Sequence, residues 1–180
     1  LHEGLPYAFS LACTIVSQGG AHVDLNFTLE AADGSPVELP SFYFTFFDFD
    51  QEQDGLGVET LTVNGFSGEP VLEPGTQVSR PAPNQFQSTE YGVLDDNPTD
   101  PDALSTLQKE RSVMFLFKDQ SSFSATFSVS NTRKAGRGRN ILFAGQSNLV
   151  SCPPAPPQVP LSPLAPPPPA LPSLPPSTSP

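Results

Sequence analysis

Apolar and polar residues alternate along most of the first 152 positions, the pattern of half-buried β-strands. In "YAFSLACTIV", Tyr7, Phe9, Leu11, Cys13 and Ile15 fall on one face. In "HVDLNFTLEA", Val23, Leu25, Phe27 and Leu29 alternate with Asp24, Asn26, Thr28 and Glu30. Further strands are expected over residues 42–49, 58–63, 86–93, 112–118, 122–130 and 140–144, most of them separated by Gly, Pro, Asn or Asp. Only "PDALSTLQKER", Pro101 to Arg111, favours a helix, with proline in its first turn and Leu104 and Leu107 at i, i+3 spacing. Eight or nine short strands and one short helix predict a mainly β fold, an antiparallel β-sandwich of jelly-roll type.

The pattern breaks at Pro153. Of the 23 prolines, 14 lie in residues 153–180, a segment with no charged residue. Pro154, Pro157, Pro160, Pro163, Pro166, Pro169, Pro172 and Pro175 recur at every third position. Polyproline II has three residues per turn, so these prolines would form one continuous edge of an extended tail. At about 3.1 Å per residue the tail would reach on the order of 85 Å. It is either a strut that packs with partners or a semi-rigid linker that has none. The expected division is a β-sandwich at 1–152 and a rod at 153–180.

Charge and cysteine content narrow the class. The net charge of −11 sits wholly on residues 1–152. That acidity disfavours nucleic acid and anionic membrane and favours cations. No apolar run reaches 18 residues, so no membrane span is expected. Leu1 reads as a processed terminus or the start of a fragment. With only two cysteines and no second pair a zinc site is not expected, and a Cys13–Cys152 disulfide linking the first and last strands is the economical alternative. In the chain-entropy model, closing so long a loop is worth roughly 5 kcal/mol, and disulfides persist in oxidising compartments, which points to secretion. Asn26-Phe27-Thr28 is a glycosylation sequon on the polar face of its strand; Asn97-Pro98-Thr99 is blocked by its proline.

Two acidic stretches carry the candidate chemistry. "FYFTFFDFDQEQDG" runs from a strand into Asp48, Asp50, Glu52 and Asp54 before Gly55, and "GVLDDNPTDPDAL" supplies Asp95, Asp96, Asn97, Asp100 and Asp102. Calcium takes six to eight oxygens, and loops at one end of a sandwich can pool theirs. The expected ligands are Asp48, Asp50, Asp96 and Asn97; the competing reading is a pair of solvated acidic loops. An EF-hand is excluded. Counting from Asp48 puts Gln53 where glycine is needed, and counting from Asp50 puts Leu61 where the bidentate Glu belongs. Catalysis is not expected, since the chain has no Trp, two His and no G-x-S-x-G elbow. Arg133, Lys134, Arg137 and Arg139 cluster in "NTRKAGRGRN", which reads as a solvated hairpin loop or as a patch for an acidic neighbour, including another copy of the chain.

The segments "FTFFDFD", "VETLTVNGF", "DNPTDPDALSTLQKERSVMFLF" and "GRNILFAGQSNL", followed by "CPPAPP", resemble secreted surface proteins of unicellular algae. The chain is similar to their hydroxyproline-rich extracellular glycoproteins, of the mastigoneme and pherophorin kind, in which β-domains alternate with glycosylated polyproline rods. The resemblance implies an extracellular structural role and hydroxylated, O-glycosylated prolines from Pro153 onward. Two functions from different classes follow as expectations. The first is a structural subunit of a filament or matrix that assembles with copies of itself or related chains. The second is a calcium-dependent carbohydrate-binding module on a Pro-rich stalk.

Overall fold

A computed structural model describes residues 9–15, 20–31, 33–93, 96–133 and 139–147, with backbone alone for 9–15 and 147. The described residues form two antiparallel sheets. In chain order the strands are β1 (Phe9–Ile15), β2 (His22–Thr28), β3 (Leu39–Phe47), β4 (Glu59–Asn64), β5 (Val78–Ala82), β6 (Gln85–Ser88), β7 (Val113–Gln120), β8 (Ser122–Val129) and β9 (Arg139–Ser147). One sheet runs β1-β9-β3-β7 and the other β2-β8-β4-β6-β5. With the edge strand β5 set aside, the order is that of a jelly roll, so the expected β-sandwich is the observed architecture.

Phenylalanine fills the space between the sheets. Phe42, Phe44 and Phe46 alternate inward from β3, Phe115 and Phe117 from β7, and Phe123 and Phe127 from β8, each nearly or fully buried. Phe27 stacks on Phe123 with centroids 4.6 Å apart and meets Phe143 edge-on at 5.0 Å. Each such ring contributes roughly 1.5–3 kcal/mol by leaving water. The outer face of the second sheet is the polar half of the same alternation. There Asn26 of β2 is exposed and sits opposite Ser124 of β8, and Asp24 accepts the Thr126 hydroxyl at 2.7 Å.

Two elements differ from expectation. The strand expected over 86–93 is only β6, which ends at Ser88 before a loop, and it forms a hairpin with β5, where no strand was expected. β5 carries Pro81 at a register shift between Ser79 and Ala82, which an edge strand tolerates and a sequence pattern hides. The helix α1 spans only Thr106–Glu110. Ser105 sets its start through a capping box, accepting from the Gln108 N–H at 3.3 Å while its own N–H donates to Gln108 Oε1 at 2.9 Å. The residues before it are held in a turn by Asp100, whose carboxylate accepts the Asp102 N–H at 2.9 Å.

Candidate metal centre

The acidic centre begins where β3 ends. Asp48 lies in the left-handed region (φ 68°), which Asp adopts more readily than most residues. That one residue resets the strand alternation. Phe49 returns to the core at 2% exposure, its N–H donating to the Arg111 carbonyl at 3.1 Å. Asp48 and Asp50, on either side of it, are left buried at the end of the sandwich, 7% and 8% exposed.

The segment from Thr89 to Val93 forms the second wall. Gln51 donates its N–H to the Glu90 carbonyl at 3.0 Å and receives the Gly92 N–H at 3.1 Å. Alternation along this segment sends Gly92 inward against Asp50, where a Cβ would fall on the carboxylate. Tyr91 and Val93, on either side of Gly92, are exposed. Asp96, 1% exposed, follows in the loop; its Oδ2 accepts the Val93 N–H at 3.0 Å and pairs with Arg111 Nη1. The Asn97 amide lies 2.9 and 3.3 Å from the two Asp48 oxygens and 3.2 Å from Asp96 Oδ1.

Two arginines hold this wall in place. Arg111, just past α1, donates to Gln77 Oε1 at 2.7 Å and to the Tyr91 carbonyl at 2.8 Å besides pairing with Asp96. Arg139 on β9 reaches Asp50 Oδ1 at 2.7 Å, with its Nε 3.9 Å from Glu59 of β4. Glu59 is 3% exposed and accepts the Asp50 N–H at 3.3 Å.

Among the described residues, four carboxylates (Asp48, Asp50, Glu59, Asp96) therefore face two guanidiniums (Arg111, Arg139), and 2 − 4 leaves −2 when all are ionised. Burial, and next the neighbouring Asp50, pushes the Asp48 carboxyl up to about 7. Burial also raises Asp50 against the pull of Arg139 and Arg111. Glu59 is held well above its usual value by burial and then by Asp50. Without a counter-charge the centre takes up protons instead.

The geometry fits a hard divalent cation. Oxygens of Asp48, Asp50 and Asp96 all lie within 4.8 Å of one another. Two oxygens that each sit 2.3–2.6 Å from calcium are at most about 5 Å apart. Among the described residues, only the Asn97 amide reaches the Asp48 carboxylate by hydrogen bonding, and then only with its nitrogen turned inward. With its oxygen inward, Asn97 joins three carboxylates in an all-oxygen set suited to a cation. Glu59, bound to the Asp50 N–H and near Arg139, stands behind that set.

The structure thus brings together Asp48, Asp50, Asp96 and Asn97, four residues singled out in the sequence. Asp95 lies outside the described residues, and Asp100 and Asp102 serve the turn before α1. Of the expected surface cluster, Arg133 is exposed and Arg139 is not. Arg133 pairs with Asp54 and donates its N–H to Glu52 at 2.9 Å, and Arg139 is built into the acidic centre. Lys134, Arg137, Cys152 and the prolines of the rod lie outside the described residues; Cys13 is described as backbone on β1, so the disulfide does too. Sequence reasoning missed Gly92 and Arg111 at this centre, because contacts between residues so far apart in the chain leave no spacing signal; Glu59 stands out in the sequence only as position 12 counted from Asp48.

Outside Asp48 and Asp50 a cleft of about 490 Å³ opens to solvent, bordered by Gln53, Tyr91, Val93 and Asn97. Fold and site together define a jelly-roll module with a buried, partly neutralised acidic centre at one end. No protein-family model, curated protein or solved structure matches the chain. No helix among the described residues is long and apolar enough to cross a membrane.

Proposed function

We propose that this chain is a non-catalytic structural module of an extracellular filament or matrix. In this reading a calcium ion closes one end of the jelly roll, and the proline-rich segment 153–180 serves as a strut for assembly. The observation that carries the calcium part is Asp48. Among the described residues it is a buried carboxylate without an ionic partner of its own, in a centre whose charge falls short of balance by that of one divalent ion. Calcium supports the extracellular part, because extracellular modules bind it at roughly 10⁻⁴–10⁻³ M. The three-residue proline period supports the strut, since proline loses little conformational entropy when a rod is packed against a neighbour.

The non-catalytic reading has its own support. A glycosidase needs two carboxylates free to act across a cleft. Here Asp50, Glu59 and Asp96 are engaged by arginine and Glu52 on the cleft wall accepts the Arg133 N–H, which leaves Asp48. Calorimetric titration of the EGTA-treated full chain with calcium, together with sedimentation with and without Pro153–Pro180, tests the proposal. Heat of binding, a raised melting temperature and concentration-dependent assembly that needs the tail are expected. A chain that neither binds calcium nor assembles overturns it.

A further inference from the structure

The cleft over the acidic centre has a lip that the structural role leaves unexplained. Tyr91 and Val93, at 48% and 49% exposure, are the exposed large hydrophobics among the described residues, and both stand on this lip. A single exposed tyrosine is ordinary. Two exposed apolar side chains on one pinned segment, beside a polar cleft, are not. The segment is fixed by the hydrogen bonds between Gln51 and both Glu90 and Gly92, and by Arg111 on the Tyr91 carbonyl. The Tyr91 ring is therefore presented from a set backbone, as a ready platform.

The oxygen count points the same way. Asp48 offers two oxygens. Asp50 and Asp96 offer one each beyond those held by arginine, and Asn97 offers one, so 2 + 1 + 1 + 1 gives five. Calcium takes six to eight, which leaves about one to three positions, and the open side of the centre is the cleft.

We propose that this cleft binds a neutral carbohydrate. One ring face of the sugar packs on Tyr91 and Val93, and vicinal hydroxyls complete the calcium shell, with Gln53 at the border as a further hydrogen-bonding group. The inference rests on the calcium reading above. Neutrality of the ligand follows from charge: with Ca²⁺ the centre balances, and a chain of net charge −11 disfavours a polyanion. The volume lies within the roughly 300–1,000 Å³ usual for small-ligand sites.

The test is calorimetric titration of the calcium-loaded full chain with oligosaccharides of galactose, mannose and arabinose, and with polygalacturonate. Binding of a neutral sugar that is lost in EGTA and weakened at least tenfold by Tyr91→Ala is expected. The Tyr91→Ala protein should keep the wild-type rise in melting temperature with calcium. If calcium raises the melting temperature but no neutral sugar binds, the carbohydrate site is wrong and the calcium reading stands. Preference for polygalacturonate, equal binding in EGTA, or full binding by Tyr91→Ala also overturns it. If calcium has no effect on the wild type, the underlying calcium reading fails and the site falls with it.

Discussion

Replacing Asp48 by Asn keeps the shape of the side chain and removes its charge. Burial first, and Asp50 second, lift this carboxyl from 3.8 to about 7. Between those values the folded protein holds a proton that the unfolded chain has released. The metal-free protein should therefore lose stability as pH rises from about 4 to about 7, with the whole loss present above that. A rise of that size corresponds to about 4 kcal/mol, at 1.36 kcal/mol for each tenfold change in proton affinity. In EGTA at pH 8, D48N should be more stable than the wild type by up to about 4 kcal/mol, or about 8–16 °C for a domain of this size. Calcium should narrow that gap, because the wild type gains a ligand-linked increment that D48N lacks. At 100 times Kd that increment is about 2.7 kcal/mol. Thermal and urea melts at pH 5 and pH 8, in EGTA and in calcium, measure all four states. A D48N protein that melts below the wild type in EGTA at pH 8, or that keeps the full calcium increment, refutes the reasoning.

Arg111→Ala should cost about 3–5 kcal/mol in EGTA by leaving Asp96 buried without its partner, as read from urea melts. Arg111→Lys should recover little of it, since one ammonium cannot reach Gln77, Asp96 and the Tyr91 carbonyl together. Gly92→Ala should destabilise by about 1–3 kcal/mol and weaken calcium binding, because its methyl displaces Asp50; calorimetry and melting check both effects. In a secreting host, Asn26→Gln should remove a glycan's mass in mass spectrometry without lowering the melting temperature, since Asn26 is exposed.

Most of the sandwich was legible because its core is built by strict alternation. Phe42, Phe44 and Phe46, or Val23, Leu25 and Phe27, announce a strand and its inner face at once. β5 was not legible, because "VSRPAP" has the prolines of a loop and becomes a strand only at a sheet edge, paired with β6. The helix was overextended for a related reason. Pro101 offered a start, but Ser105 and Gln108 provide the reciprocal cap, so the observed helix begins after Ser105.

The acidic centre was half legible, and the missing half changes its chemistry. Asp48, Asp50, Asp96 and Asn97 could be found because they follow strands at the turn-rich end of the fold. Taken alone they look like a surplus of charge. Arg111 and Arg139 carry no such sign: one ends a helix and the other sits in a basic run that reads as surface. Yet these two arginines reduce four buried carboxylates to a net of −2, and they each take one oxygen from Asp96 and Asp50. The same contacts hold the Tyr91 segment and β9 against the end of β3. A centre that needed only charge balance could have used four basic partners. Among the described residues, stopping at two leaves Asp48 buried without an ionic partner, and a divalent cation answers that arrangement both in charge and in the geometry of its oxygens.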